Sequence, residues 1–207
     1  MKLLIATKNL GKTAEIKALL GLALQKSVKV LTLTDMPPTS LPRETGSTFE
    51  ENAKIKGLHY ADKLKMLCIA DDSGLSVEAL GGRPGVNSAR FAGEEATDQE
   101  NIALLLDRLF NRPKPWKASF VCVAVATLPG RVVAMAQGIV HGEIVTEPRG
   151  IRGFGYDPVF LVSSLGKTMA ELSGEEKNRI SHRGVAMRSL IAQMKENGTL
   201  QPEFALP

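Results

Sequence analysis

Residues 66–75 read Met-Leu-Cys-Ile-Ala-Asp-Asp-Ser-Gly-Leu, an apolar run that meets two carboxylates, a hydroxyl and a glycine. A short apolar run closed by turn residues is typical of a buried β-strand. Ligands of open α/β sheets bind at the carboxyl ends of the strands. Because successive side chains of an extended segment point to opposite faces, we expect only one of Asp71 and Asp72 to face a ligand. The alternative is an Asx-turn that simply ends the strand.

The composition is that of an ordinary globular protein, since 43% of the 207 residues are hydrophobic and 23% are charged. The length favours a single domain over residues 1–207, or two closely joined lobes. The net charge of +4 suits an anionic small molecule at least as well as a nucleic acid. Cys68 and Cys122 lie in apolar runs without metal-ligand or redox spacing. The sequence shows neither a signal peptide nor a membrane span, so we expect a cytoplasmic protein without a membrane partner.

The amino-terminal segment predicts a phosphate-contacting loop. A short apolar strand ends at Ala6, and residues 7–12 then read Thr-Lys-Asn-Leu-Gly-Lys before a helical pattern begins. In a strand–loop–helix arrangement the helix N–H groups and dipole can meet a phosphate, and Lys8 and Lys12 add positive charge. The loop is not a P-loop, because the first glycine of that motif is replaced by Ala6. The alternative is an ordinary turn with two solvated lysines.

A single acidic residue in the next loop is a candidate metal ligand. Glu44 precedes a helix that should begin at Ser47 or Thr48 and run to about Lys65. A loop carboxylate ahead of a helix can share a cation with Asp72. Alone, Glu44 would be interpreted as a surface charge.

The middle of the chain predicts a mixed sheet. Thr97 or Asp98 should cap an amphipathic helix that ends at Phe110. Two long strand patterns, 118–128 and 132–140, are joined by Pro-Gly at 129–130, which is a hairpin signal. Because a hairpin of long strands cannot belong to an all-parallel core, the pattern favours an α/β fold with a mixed sheet.

Residues 153–157 read Gly-Phe-Gly-Tyr-Asp, and aromatic side chains on such a flexible backbone are a candidate platform for a purine. The alternative is a turn in which Phe154 or Tyr156 fills the core, and we expect this for one of the two.

The last part of the chain predicts a basic helix face. A final helix should open near residue 173 and continue through Met194. This face carries two or three cationic groups on adjacent turns that can bind a triphosphate or the edge of a base, from Lys177, Arg179, His182 and Arg183. The alternative is a solvated basic face.

Four of these motifs occur in one order along the chain: residues 7–12, 71–75, 154–157 and 181–183. In this combination the sequence resembles the inosine triphosphate pyrophosphatase family nearly end to end. The resemblance implies an α/β fold with an elongated mixed β-sheet flanked by helices, two lobes with a central cleft, and a homodimer. It implies hydrolysis of the non-standard purine nucleotides XTP, ITP and dITP to monophosphate and pyrophosphate, which cleanses the nucleotide pool.

The resemblance also implies roles for individual residues. Asp72 becomes the proton acceptor and a Mg²⁺ ligand, and Glu44 completes the metal site. Many family members have a glutamate where this chain has Arg43. If that glutamate helps to bind the metal, metal affinity should be weaker here, and we favour Glu44, the second of the two positions, as the ligand. The implied substrate-binding residues are Thr7, Lys8, Asn9, Leu10, Gly11 and Lys12 on the triphosphate, Ser73 beside the metal ligand, Phe154, Gly155, Tyr156 and Asp157 around the base, and Lys177, His182 and Arg183 on base and phosphate.

The residue inventory agrees with this chemistry. Hydrolysis at the α-phosphorus requires an activated water beside Mg²⁺ and cations that neutralise the departing pyrophosphate. The sequence offers no Cys or Ser nucleophile with a basic partner, so we predict direct attack by water, with Asp71 holding Asp72 or the water in place. The alternatives are a related pyrophosphatase for pyrimidine or modified nucleotides and a catalytically silent nucleotide-binding module. Nucleic acid is not an expected partner, because no basic stripe is interleaved with aromatics.

Overall fold

The computed structural model describes residues 1–24 and 28–201. Within these residues the strands form one seven-stranded sheet in the order β2-β1-β3-β4-β5-β6-β7. Strand β1 pairs in parallel with β2 and β3, whereas β6 pairs antiparallel with β5 and β7, so the predicted mixed α/β sheet with flanking helices is confirmed. The helices are α1 (Leu10–Ala23), α2 (Phe49–Leu64), α3 (Asp98–Leu109), α4 (Gly174–Ile180) and α5 (His182–Glu196), and the strands are β1 (Lys2–Ile5), β2 (Lys29–Thr32), β3 (Leu67–Val77), β4 (Lys117–Leu128), β5 (Arg131–Ile144), β6 (Phe160–Val162) and β7 (Lys167–Thr168).

The chain forms two compact units. Unit 1 contains Met1–Asp72, Cys122–Gly138 and the segment from Arg183 onward, and unit 2 contains Ser73–Val121 and Ile139–His182. None of the helices described is long and apolar enough to cross a membrane.

Each unit has its own apolar core. In unit 1 alternate residues of β1 enter two clusters, because a strand turns successive side chains to opposite faces. Leu3 lies in a cluster with residues of α1 and α5, and Leu4 lies in a cluster with residues of α2. In unit 2 the apolar face of α3, which includes Leu105, packs with aromatic residues of β4 and β6 such as Phe120 and Phe160.

Strand β3 is longer than the sequence predicts. The turn residues after Ala70 predict a strand end, but the strand continues through Asp71 and Asp72 to Val77. That prediction is wrong, because ion pairs to lysines compensate the two buried carboxylates inside the extended segment. The pairing of β3 with β1 ends at Ile69. Both carboxylates therefore follow directly after the parallel part of the strand.

The predicted final helix is divided into two. Ser181 has an extended backbone, with a ψ of 155°, and separates α4 from α5, so the prediction of one continuous helix is wrong. The N–H of Ser181 donates to Lys177 O at 2.8 Å, which closes the last turn of α4. Serine favours the non-helical position that flanks a helix, and this explains the break without glycine or proline.

The close approach of α2 to the sheet of unit 1 predicts opposite effects for two glycine substitutions. A Cβ at Gly57 would lie 2.8 Å from Thr127 Cγ2 and 3.0 Å from Val125 Cγ2, whereas a Cβ at Gly21 in α1 would meet nothing within 4 Å. Gly57→Ala should lower the free energy of unfolding by about 1–3 kcal/mol. Gly21→Ala should raise it by up to about 1 kcal/mol, because alanine favours a helix. Urea unfolding measures both, and a stabilised Gly57→Ala variant would contradict the close approach.

Candidate active site

The loop between β1 and α1 has the form predicted for phosphate contact. Asn9 caps α1, since its Oδ1 accepts from the Lys12 backbone N–H at 2.9 Å, and the Asn9 N–H donates to Thr7 Oγ1 at 3.2 Å. Lys8, Asn9 and Leu10 are exposed. The loop thus presents the amino-terminal end of a 14-residue helix to its surroundings. A polyanion is attracted to such an end, and the contact of residues 7–12 with a triphosphate stays a prediction.

Two carboxylates converge on a lysine in unit 1. Lys56 Nζ, from α2, lies 2.7 Å from Asp72 Oδ1 and 3.5 Å from Glu44 Oε2. One turn earlier in α2, Asn52 Nδ2 donates to Asp72 Oδ2 at 3.4 Å, and Asn52 Oδ1 accepts from the Gly46 N–H at 2.8 Å. Asn52 therefore ties the loop that carries Glu44 to the same helix and the same carboxylate.

The surroundings of this cluster shift two pKa values upward. Burial raises the pKa of Asp72, although the charges of Lys56 and Lys12 oppose the rise. Burial disfavours the charged form of Lys56, but Asp72, Asp71 and Glu44 outweigh it and raise the pKa of this lysine. A carboxylate with a raised pKa is a better proton acceptor than an ordinary aspartate. The cluster thus combines a proton acceptor with a permanent positive charge.

The donor set fits a divalent cation that prefers oxygen ligands. Asp72 and Glu44 both reach one ammonium group, so a positive charge between them is favoured. Among the described residues no group of three or more His, Cys, Asp or Glu side chains is placed to hold a metal ion. Mg²⁺ needs no such group, because it binds through one or two carboxylates and completes its shell with water and substrate phosphates.

Asp71 belongs to a different group of charges in unit 1. Its Oδ2 lies 3.2 Å from Lys12 Nζ and accepts from Arg183 Nε at 3.3 Å. Arg183 also forms an ion pair with Glu15 of α1. Asp71 and Arg183 are each 1% exposed. Burial opposes ionisation of Asp71, but Lys12 and Arg183 together outweigh it and hold the pKa of this carboxyl well below its usual range.

The neighbouring aspartates therefore have different chemistry. Asp71 pairs with Lys12 and Arg183, while Asp72 pairs with Lys56, and the expectation that only one of the two faces a ligand stays a prediction. The pKa of Asp71 is lowered and the pKa of Asp72 is raised. In such a pair the carboxyl with the lowered pKa stays ionised, and the carboxyl with the raised pKa can exchange a proton. Asp71 is the fixed anion, and Asp72 is the group suited to accept a proton.

Unit 2 holds the aromatic loop, residues 153–157. The Phe154 N–H donates to Asp157 Oδ2 at 2.9 Å, and Asp157 forms an ion pair with Lys177 of α4. Lys177 Nζ also lies 4.9 Å from the centroid of the Phe154 ring. Tyr156 is buried, and its hydroxyl donates to Ser88 O at 2.9 Å. The expectation that one aromatic fills the core is confirmed for Tyr156, and half-buried Phe154 remains the candidate for contact with a base.

Two further predicted residues lie in unit 2. The buried ring of His182 stacks on Phe120, with centroids 4.8 Å apart and an interplanar angle of 15°. Ser73 is half-buried and follows Asp72 in β3. Their contacts with a substrate, like those of Gly155 and Arg183, stay predictions.

Sequence reasoning missed Lys56 and Glu15 as members of these clusters. A signal for Lys56 is present in the sequence, because Asn52, Lys56 and Tyr60 recur every four residues and share one face of α2. Asn52 and Tyr60 are buried on that face. A lysine between them is therefore directed toward the protein rather than toward solvent.

The mixed sheet and the clustered acids and lysines define an α/β protein with a candidate active site for an anionic substrate. The chain belongs to the Ham1 family, whose model matches residues 3–193. It is 49% identical over 94% of its length to the dITP/XTP pyrophosphatase of Geobacillus kaustophilus, covering 95% of that protein. It is 47% identical over 90% of its length to the dITP/XTP pyrophosphatase of Halalkalibacterium halodurans, covering 95% of that protein. The solved structure of the Staphylococcus aureus Ham1 protein is similar, with a TM-score of 0.83 and 42% identity over 95% of this chain and 99% of that one.

Proposed function

We propose that the protein is a pyrophosphatase that hydrolyses XTP, ITP and dITP to the nucleoside monophosphate and pyrophosphate. The observation that carries the proposal is the convergence of Asp72 and Glu44 on Lys56, in a chain whose relatives are named dITP/XTP pyrophosphatases. Removal of these nucleotides keeps the nucleotide pool free of non-standard purines.

Asp72 is the proton acceptor in this reaction. A water molecule attacks the α-phosphorus, the bond from the α-phosphorus to the bridging oxygen breaks, and pyrophosphate leaves. Asp72 takes the proton of the attacking water, for which its raised pKa suits it. Lys56 holds the Asp72 carboxylate in place. Lys8 and Lys12 offset the negative charge of the triphosphate, beside the amino-terminal end of α1.

Asp72 and Glu44 are the residues that would hold Mg²⁺. Bound there, the ion would neutralise phosphate charge and lower the pKa of a bound water. Glu44 Oε2 lies 3.5 Å from Lys56 Nζ, the same ammonium group that pairs with Asp72.

The aromatic loop provides contact with the base. Phe154 offers a ring for stacking, and Lys177 is fixed over that ring by Asp157. A 6-oxo purine is distinguished from adenine when a donor of the protein meets the oxo group, because an amino group at that position leaves the donor unpaired. His182 and Arg183 are the candidates for such donors. A homodimer belongs to the proposal on the strength of the resemblance, and a cytoplasmic location belongs to it as an expectation from the sequence.

A nucleotide panel tests the proposal. We expect Mg²⁺-dependent release of pyrophosphate from ITP, XTP and dITP, with kcat/KM at least about 10²-fold above that for ATP, GTP, CTP and TTP. EDTA should abolish the reaction. The measurement is pyrophosphate release at one nucleotide concentration, with orthophosphate measured in parallel.

The other outcomes of the panel separate the alternatives. Orthophosphate as the first product would mean attack at the terminal phosphorus. Preferred turnover of CTP or TTP would favour a pyrimidine-directed pyrophosphatase. If the protein bound ITP and released neither product, it would be a nucleotide-binding module.

A further inference from the structure

Two carboxylates fix the backbone on both sides of Phe154. The Phe154 N–H donates to Asp157 Oδ2 at 2.9 Å, and the Gly155 N–H donates to Asp98 Oδ2 at 2.6 Å. The first N–H belongs to the peptide plane before Phe154 Cα, and the second belongs to the plane after it. When both planes are fixed, φ and ψ of the residue between them are fixed, and so is the direction of its Cα–Cβ bond. Asp98 and Asp157 together therefore determine the direction in which the Phe154 side chain leaves the backbone.

Asp98 comes from outside the aromatic loop and is not used for capping. It is the first residue of α3, where Thr97 is the cap: Thr97 Oγ1 accepts from the Glu100 N–H, and the Glu100 side chain returns to Thr97. Both halves of the capping box are thus complete without the Asp98 carboxylate. A carboxylate in the first turn is also favoured by the helix dipole. The Asp98 side chain is therefore held on a rigid element and directed to Gly155.

Tyr156, the residue after Gly155, gives further evidence that the Asp98 carboxylate lies beside the loop. Burial and, after it, the negative charge of Asp98 raise the pKa of Tyr156. The Tyr156 hydroxyl donates to Ser88 O at 2.9 Å, which anchors the loop on the far side of Gly155. Gly155 has a φ of +61°, a left-handed conformation that needs glycine or support from its surroundings. The hydrogen bond to Asp98 supplies that support.

We infer that Asp98 is a positioning residue that orients Phe154 for the purine base. The inference rests on the proposed function, because it assigns the orientation of Phe154 to recognition of that substrate. Asp98 acts through the Gly155 N–H and touches no reacting atom. Its removal affects binding of the base and leaves the water attack at the α-phosphorus unchanged.

The test compares three variants with the wild-type protein. Asp98→Ala removes the acceptor, and Asp98→Asn keeps an oxygen at the same position without the charge. Asp62→Ala is the matched control, because Asp62 is also an exposed helix carboxylate that accepts the N–H of a glycine with positive φ, Gly130, at 2.8 Å. Steady-state kinetics with ITP and CTP give kcat and KM for each protein. An ¹⁵N–¹H spectrum records the Gly155 amide directly.

Asp98→Ala should raise KM for ITP by about 10-fold and leave kcat within about 2-fold of wild type, because a hydrogen bond to a charged group is lost. The preference for ITP over CTP should fall by a similar factor. Asp98→Asn should have a KM for ITP close to the wild-type value. Asp62→Ala should change neither the KM for ITP nor the preference for ITP over CTP. The Gly155 amide resonance should shift in Asp98→Ala and stay near its wild-type position in Asp62→Ala.

Three results overturn the inference, and they are distinguishable. A wild-type protein that hydrolyses ITP, together with an Asp98→Ala variant of unchanged KM and preference, overturns the positioning role and leaves the proposed function standing. A wild-type protein that releases no pyrophosphate from ITP overturns the proposed function and the inference with it. An equal rise of KM in Asp62→Ala would also overturn the role, since it would show a general loss of stability.

Discussion

Asp72→Asn should reduce kcat for pyrophosphate release from ITP by about 10³-fold, because the variant loses the proton acceptor of the attacking water. Asparagine has the same shape and can still accept a hydrogen bond from Lys56, so the variant removes only the negative charge of Asp72, and with it both proton transfer and the proposed charge on the Mg²⁺ site. The measurement is the initial rate of pyrophosphate release at saturating ITP and Mg²⁺.

The fold of the Asp72→Asn variant should be intact. Burial raises the pKa of Asp72, so the folded protein holds a proton on this carboxyl more readily than the unfolded chain does. Ionised Asp72 consequently adds no stability near neutral pH, and a neutral amide should leave Tm within a few degrees of wild type. Asp62→Asn, an exposed substitution of the same type, is the control and should keep wild-type kcat. A rate within about 10-fold of wild type would remove Asp72 from the reaction.

Local signals in the sequence were sufficient for the fold. Thr97 precedes a helix with a clear apolar face, and the structure begins α3 at Asp98 with Thr97 as its cap. Pro129 and Gly130 lie between two long alternating patterns, and the structure places the β4–β5 hairpin there. In these cases the local preference and the tertiary packing agree, and this agreement is the reason that the elements were predictable.

The predictions that were wrong concern residues whose local preference is overruled. Asp71 and Asp72 favour a turn, yet the lysines that pair with them keep both residues inside β3. The division between α4 and α5 at Ser181 has only a weak local signal, because one serine is compatible with either a helix or its flanking position.

Candidate site residues could be predicted where a sequence motif contains them. Their ion-pair partners could not be predicted, because these come from distant segments of the chain. Lys56 reaches Asp72 across 16 positions, and Arg183 reaches Glu15 across 168. Neither pairing leaves a periodic trace in one sequence. The four-residue spacing on α2 predicts that Lys56 points toward the protein. The structure is needed to show which carboxylates Lys56 contacts.

Arg183→Met should lower the free energy of unfolding by about 3–5 kcal/mol, because it leaves two carboxylates, Asp71 and Glu15, without the guanidinium that they share. Asp71 and Arg183 are each 1% exposed, and the Arg183 guanidinium binds both Asp71 and Glu15. Methionine fills much of the volume of the arginine side chain, so the loss of unfolding free energy comes from the missing charge rather than from a cavity. Urea unfolding measures the change. Arg108→Met, at an exposed position of α3, is the control and should stay within about 0.5 kcal/mol of wild type.

A double variant separates the ion pair from the packing. Asp71→Asn with Arg183→Met removes both charges, and it should be more stable than Arg183→Met alone, because the buried Asp71 carboxylate then no longer has to be compensated by Lys12 alone. Asp71 is the fixed anion of the pair of aspartates, with a pKa held well below its usual range by Lys12 and Arg183 against the effect of burial. If Arg183→Met were as stable as Arg108→Met, the Asp71 carboxylate would not depend on Arg183. The buried cluster would then owe its stability to Lys12, and Lys12→Met would become the variant with the large loss.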